Sequence, residues 1–341
     1  MLIRERFEQF EKETLSPFAT LSSRSKGRRY EEEECIIRTC FQRDRDRIVH
    51  SKSFRQLKHK TQVFLIPIKE SIRTRLTHTI EVSQIARTIA KALLLNEDLT
   101  EAISLGHDLG HPPFGHIGEV ALNGIYKNGF KHSEQSLRIV EILEKEGQGL
   151  NLTYEVKDGI LKHSRGSQSL FIDEGRSMTL EGDIVRLADS IAYINHDIED
   201  AINAGIIEMK DLPREAIRVL GERSSERIDR MVKDVIETSY GKDVISMSRE
   251  IMDFTDELRN YLYSCVYTRN EIQKEAQKAR RVLEELFNYF CKNPEEVLES
   301  LPFLSPEEGI DRIICDYLAG MSDQEALLRY EEIFLPRPGV F

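Results

Sequence analysis

An all-α protein is what this sequence predicts, and three observations predict it. Apolar residues recur at helical spacing, helix start and stop signals punctuate the chain, and only one segment reads as a strand. That segment, residues 62–68, is rich in Val, Ile and Phe, is broken at Pro67, and predicts a small β-hairpin before Arg73. Val82, Ile85, Ile89 and Leu93 place an amphipathic helix over residues 79–95. Asp98 with Glu101 three residues on forms a capping box, opening a helix that carries Ile103, His107, Asp108 and His111. Pro112 and Pro113 stop it, because proline lacks an amide donor and drives the preceding residue out of the α region. Ser133 caps a helix through Ile142 and Leu143 that ends near Gly147, and a long helix covers residues 179–203 with Gly205 at its C′ position. Further on, residues 270–289 are amphipathic, with Val282, Leu283, Leu286 and Phe287 as the apolar face. Pro294-Glu295-Glu296 and Pro306-Glu307-Glu308 open further helices, and residues 336–339 read as a tail. With no internal repeat and no low-complexity linker, a soft boundary near 205–213 divides the chain into residues 1–205 and 206–341.

Composition narrows the function classes. At 341 residues, 31% charged and a mean hydropathy of −0.42, the chain reads as soluble. No apolar stretch approaches the roughly 20 residues that cross a bilayer. Residues 1–6 are charged and lack the apolar core of a signal peptide, so the expected location is the cytoplasm, with no membrane partner. Cys35, Cys40, Cys265, Cys291 and Cys315 form no CxxC pair and fit a reducing compartment as small buried side chains. The net charge is −11, yet residues 24–60 hold twelve Lys and Arg interrupted by the acidic run 31–34. Such a stretch predicts either a solvated face with local ion pairs or a surface attractive to nucleic acid or polyphosphate.

Seven of the nine histidines fall between His50 and His132, and none follows His196. The densest group runs from Gly106 to His116. Imidazole with carboxylate is a usual ligand set for borderline divalent ions, and imidazole also moves protons near neutral pH. Neighbours on a helix point about 100° apart, so His107 and Asp108 need ligands from other helices. His78 and Asp189 are suitable, giving an open site with two His, two Asp and room for water, which a divalent ion would acidify. Asp189, Tyr193 and Asp197 are spaced i, i+4, i+8 on one helix face whose flanks are apolar. His116 follows the rigid turn 112–115 and has Glu119 three residues later to hold its ring, while His111 and His132 can donate to phosphate oxygens. His196, near the face of Asp189, is better suited to a structural hydrogen bond.

These residues carry a resemblance. His78, His107-Asp108 and Asp189, in that order, resemble the HD-domain metal-dependent phosphohydrolases. The blocks 41–48 (FQRDRDRI), 60–64 (KTQVF), 73–78 (RTRLTH), 106–116 (GHDLGHPPFGH), 187–193 (LADSIAY) and 316–323 (DYLAGMSD) are similar to the deoxyguanosine-triphosphate triphosphohydrolase family. The likeness spans about residues 35 to 330. It implies an HD-domain helical bundle with a helical C-terminal extension. It also implies hydrolysis of deoxynucleoside triphosphates, dGTP or several of them, to deoxynucleoside and tripolyphosphate. His78, His107, Asp108 and Asp189 would ligate a divalent metal (Mn, Mg, Fe or Co), and His116 with Glu119 would be catalytic, beside His132. His111, His132 and Arg75 would contact phosphate or sugar, Tyr193 and Asp197 the deoxyribose, and Gln56 the sugar. A homo-oligomer is implied, with single-stranded DNA or a regulatory nucleotide as further partners. Two alternatives stand beside this: an HD phosphohydrolase acting on another nucleotide, and a regulator that binds nucleotide or single-stranded nucleic acid without turnover.

Overall fold

The computed structural model describes residues 1–63, 73–164 and 175–336. They carry sixteen α-helices and, among the described residues, no sheet, so the molecule is all-α. The hairpin predicted over 62–68 lies mostly outside the described residues; what is described there is one antiparallel bridge, Thr61 to Thr74. No described helix is long and apolar enough to cross a membrane.

The chain divides into two units, each built from separated stretches. The first comprises Met1–His50, Thr77–His107 and Leu150–Arg269; the second comprises Ser51–Leu76, Asp108–Gly149 and Asn270–Phe341. Residues 206–269 therefore belong with the N-terminal part, and the units cut across a division at 205.

In the first unit, Glu97–Gly106 packs on Cys40–Val49, Tyr154–Lys162 and Leu180–Asn203, around Ile48, Leu99, Ile103, Ile160 and Ile191. Leu180–Asn203 also receives Ser224–Ser239 and Arg249–Tyr261. It matches expectation at both ends: Thr179 accepts from Gly182 N, and Gly205 follows with φ +72°. The helix Arg75–Ala92 starts four residues earlier than predicted, where Arg75 N–H donates to Lys60 O, and it ends before Leu94, which turns left-handed at φ +56°. A second correction concerns Glu97–Gly106. Asn96, not Asp98, caps it by accepting from Leu99 N, and it ends at Gly106. His107 is therefore the last half-helical residue, while Asp108 and His111 lie beyond the helix, freed from its 100° rotation.

In the second unit, Asn270–Lys292 is the central helix, packed on Gly115–Ile125, Ile310–Ala319 and Asp323–Phe334. Its predicted apolar face is buried as expected, with Leu283, Leu286 and Phe290 fully enclosed against Leu122, Ile314 and Leu318. The segment after Ser133 forms a short helix, His132–Arg138, that widens into a π-turn at Ile139–Leu143. Pro294 starts a helix as predicted, whereas Pro306–Glu308 makes only a 3-10 turn ahead of Ile310–Ala319. The five cysteines are free thiols; only Cys315 is buried, and Cys265 and Cys291 are exposed, contrary to the expectation of buried side chains.

Five of the twelve basic residues of residues 24–60 form local ion pairs. Arg28 pairs with Asp44 and Glu32, Arg43 and Arg47 with Glu32, Arg38 with Asp46, and Arg45 with Asp46 and Glu101. Glu32, from the acidic run, is held below the usual carboxylate range by Arg47, Arg28 and Arg43 against the opposing effect of burial. Lys60, at the end of the stretch, is buried.

Candidate active site

Three helices of the first unit bring His78, His107 and Asp189 together. His78 lies in the first turn of Arg75–Ala92, His107 ends Glu97–Gly106, and Asp189 sits midway along Leu180–Asn203. One donor atom from each lies within 4.8 Å of the others. His78 Nε2 is 3.1 Å from Asp189 Oδ1, and His107 Nε2 is 3.9 Å from the same oxygen. The His107 Nδ1 lies 2.6 Å from Ser104 O, which can only accept, so Nδ1 carries the proton and Nε2 turns its lone pair toward Asp189. His163 repeats that arrangement on Ile160 O at 2.7 Å and packs edge-on against His107, ring centres 4.9 Å apart. His78 is held from behind: its Nδ1 lies 3.4 Å from His196, whose Nε2 lies 3.4 Å from Glu81. His196 thus has the structural role its position suggested. Two oriented imidazoles and a carboxylate around one point fit a divalent ion, whose ligand atoms stand about 2.0–2.2 Å from it.

On the same helix of the first unit, one and two turns beyond Asp189, come Tyr193 and Asp197. Asp197 is buried and accepts a hydrogen bond from the hydroxyl of Tyr267, which packs edge-on against Tyr263. Burial, with Asp197 beside it, raises the Tyr267 hydroxyl well above its ordinary value, and burial raises Tyr193 in the same direction. Both stay neutral donors. Tyr267 was missed from sequence because it lies 70 residues from Asp197, just after the π-turn Leu262–Val266.

The second unit holds the other group. Asp108, one peptide bond after His107, accepts from Arg75 Nη1 at 2.8 Å and stands 3.3 Å from His111 Nε2. The His111 and His132 rings stack with centres 3.9 Å apart, and His116 approaches His111 edge-on at 5.1 Å. Glu119 ties them together, with one oxygen 2.8 Å from His132 Nδ1 and the other 3.3 Å from His116 Nδ1. Burial opposes ionisation of Glu119, but its bonds to His116 and His132 outweigh burial and hold the carboxyl well below its usual range. Burial, reinforced by the charges of Arg75 and His132, pushes His111 well below the ordinary imidazole value. His116 itself is exposed, its side chain 67% accessible.

Two residues expected at the substrate have structural partners here. Arg75 is 1% exposed and spends its guanidinium on Asp108 and Gln62 O, while Gln56 donates to Gly320 O at 3.0 Å. Two residues not foreseen shape the region. Lys60 donates to the carbonyls of His111 and Ala319 at 2.6 and 2.8 Å. Asp323 accepts from Phe114 N at 2.8 Å and from both Thr61 N and the Thr61 hydroxyl. That clamp fixes the turn that presents His116, in which Phe114 and Gly115 are both left-handed, at φ +65° and +58°. A Cβ at Gly115 would meet Arg75 Nη2 at 2.9 Å and Thr61 O at 3.0 Å, so glycine is required.

The HD domain matches residues 75–194, and the phosphohydrolase-associated domain matches residues 245–332. Curated proteins called deoxyguanosinetriphosphate triphosphohydrolase-like align over nearly the whole chain. The one from Caldanaerobacter subterraneus subsp. tengcongensis is 55% identical over 338 residues, 99% of this chain and 97% of its own length. The one from Desulfatibacillum aliphaticivorans is 50% identical and covers both chains fully. A relative in Clostridium perfringens strain 13 is 48% identical over 99% of each chain.

Proposed function

The chain belongs to the deoxyguanosinetriphosphate triphosphohydrolase-like family of HD-domain proteins, and from that premise we propose that it hydrolyses deoxynucleoside triphosphates to deoxynucleoside and tripolyphosphate. The spacing of His78, His107 and Asp189, all within 4.8 Å, carries this reading, since such a group can hold the divalent ion that this chemistry needs. We assign Asp108, peptide-bonded to His107, as the fourth ligand. Bound there, a divalent ion (Mn, Mg, Fe or Co) would supply Lewis acidity and would acidify a water.

The chain's own residues do the rest. His116 gives its proton to the departing 5′ oxygen as the bond from that oxygen to the α-phosphorus breaks, and water provides the new oxygen on phosphorus. Glu119 holds His116 and His132 in position. His111 and His132 donate to the phosphates. Arg75 orients Asp108 in our assignment, in place of a direct phosphate contact. Tyr193 excludes a 2′-hydroxyl, and Asp197 with Tyr267 receives the 3′-hydroxyl. Tyrosines placed in this way discriminate a missing or added hydroxyl because a mismatch strands a polar group.

The test is incubation with each dNTP and NTP in Mn²⁺ or Mg²⁺, with products resolved by ion-exchange chromatography. One deoxynucleoside and one intact tripolyphosphate per turnover is the expected result. Stepwise phosphate release, or pyrophosphate with a monophosphate, overturns the assignment, and equal rates on ATP and dATP remove the sugar-selecting role.

A further inference from the structure

The two imidazoles that face Asp189 in the first unit are held by different acceptors. His107 Nδ1 faces Ser104 O, a carbonyl, which accepts and never donates, so the lone pair at Nε2 follows without further help. His78 Nδ1 faces another imidazole, His196 Nδ1, at 3.4 Å, with the two rings edge to face at 89°. A neutral imidazole donates at one nitrogen and accepts at the other, so this contact can run in two directions. If His196 donates, His78 carries its proton on Nε2 and turns an N–H toward Asp189 Oδ1, 3.1 Å away. That tautomer has no lone pair for a cation. If His78 donates, its Nε2 lone pair faces the centre. The two rings alone do not choose between these states, and Asp189, as an acceptor, favours the first.

Glu81 favours the second. Its Oε2 lies 3.4 Å from His196 Nε2, and a carboxylate only accepts, so it draws the His196 proton to Nε2 and leaves Nδ1 as a lone pair. His78 is then the donor. Two helices stagger these groups: Arg75–Ala92 carries His78 and, one turn on, Glu81, while Leu180–Asn203 carries Asp189 and, two turns on, His196. His78 and His196 are buried, and the Glu81 side chain, 37% exposed, is where the row reaches the surface. We propose that Glu81 and His196 are positioning residues for the metal centre, a relay in which a carboxylate at the surface fixes, through one intervening imidazole, the tautomer of the ligand His78. The relay rests on His78 as a metal ligand, as assigned above, and not on what the centre hydrolyses.

Two readouts test it, and neither needs turnover. The first is the position of the ring protons in the metal-free, histidine-labelled chain, read by long-range nitrogen–proton NMR correlation. Glu81→Gln, whose amide can donate to His196 as well as accept from it, should shift His78 from the Nδ1–H toward the Nε2–H tautomer. The second is Mn²⁺ affinity, read from the paramagnetic resonance of the free ion. Glu81→Gln and His196→Phe should each weaken it roughly 10- to 100-fold, the scale of losing a group that orients a metal ligand. His196→Asn places an oxygen where Nδ1 stood, able to accept from His78, and should bind at least about threefold more tightly than His196→Phe. A ring that merely filled the core would give the reverse order, since phenylalanine keeps the packing and asparagine leaves a cavity. Circular dichroism checks the fold; should the variants at buried His196 fail to fold, Glu81→Gln carries the test alone. Unchanged tautomer and affinity in Glu81→Gln overturn the relay, and so does an Mn²⁺ affinity unmoved by Asp189→Asn, which places the ion elsewhere. Affinities that shift as expected in a chain that hydrolyses no dNTP support the relay and overturn only the reaction proposed above.

Discussion

Lys60 carries its amine into the buried interior of the second unit, and its two hydrogen-bond partners are carbonyls. Burial, aided by the charge of Arg75 and opposed by Asp323, lowers its ammonium from 10.5 to about 8. A folded pKa below the unfolded one means that the folded state sheds its proton first. Stability therefore rises with pH between about 8 and 10.5, and that gain is lost as pH falls back through 8. The neutral amine still has two N–H groups for the two carbonyls. Lys60→Met cannot titrate, so urea denaturation should find the native advantage over the variant growing by about 2 kcal/mol from pH 7.5 to 9.5. A constant difference would show that Lys60 keeps its ordinary pKa. His116 allows a separate test, since its exposure makes it dispensable for folding. His116→Ala should leave metal binding intact and reduce turnover by roughly 10²- to 10⁴-fold, the scale of a positioned general acid. Near-native kcat would move the role to His132. At this scale the sequence was most readable where the candidate residues are local or periodic. His107 is one residue from Asp108, and Asp189 shares a helical face with Tyr193 and Asp197. Tyr267, Lys60 and Asp323 were invisible, because a hydroxyl, an amine and a carboxylate far apart in sequence have no pattern until the chain folds.

Helices were read better than their ends. Apolar periodicity located Asn270–Lys292 and Leu180–Asn203, because a face with a hydrophobic cluster behind it must repeat at 3.6 residues. Between two acceptable caps, Asn96 won over Asp98, and the difference decides where His107, Asp108 and His111 point. The π-turns Ile139–Leu143 and Leu262–Val266 gave no warning, since their five-residue step follows from packing and not from propensity. Turn chemistry was clearer: prolines 112 and 113 announced a rigid turn, although the helix had already ended at Gly106. What holds that turn is the Asp323 clamp. Asp323→Ala strips the acceptor from Phe114 N–H and Thr61 N–H, and stranding buried donors costs about 1–3 kcal/mol each. Denaturation should show a loss of about 2–6 kcal/mol, and assays over a range of substrate concentration a fall in kcat with KM little changed, as His116 loses its bearing. A parallel fall in kcat/KM through KM alone would instead put Asp323 in substrate binding. Gly115→Ala should be costly in the same assay, since it combines a left-handed Cβ with contacts at 2.9–3.1 Å to Arg75, Thr61 and Gln62.

For the whole molecule, the sequence suggested two consecutive parts, but each unit is assembled from three separated stretches. Linear reading favours contiguous domains, because composition marks linkers and this chain has none. Charge had left two readings open. Arginines 28, 38, 43, 45 and 47 look like a basic patch in one dimension, yet each meets a carboxylate once Glu32, Asp44 and Asp46 fold back among them. This pairing weakens the case for a nucleic-acid surface there and predicts little salt-dependent DNA affinity. The division into units also makes metal binding testable by region. Three of the four assigned ligands, His78, His107 and Asp189, lie in the first unit. An ion at 100 times its Kd stabilises the state that binds it by about 2.7 kcal/mol. That stabilisation should be concentrated in the helices that supply the ligands. Hydrogen exchange with Mn²⁺ against a chelator should show slower amides in Glu97–Gly106 and along the middle of Leu180–Asn203. Asn270–Lys292, in the second unit, should change little. Asp189→Asn should abolish the difference, since it replaces a charged ligand while keeping the side chain's size. Equal protection of both units, or a metal effect that survives Asp189→Asn, would place the ion elsewhere.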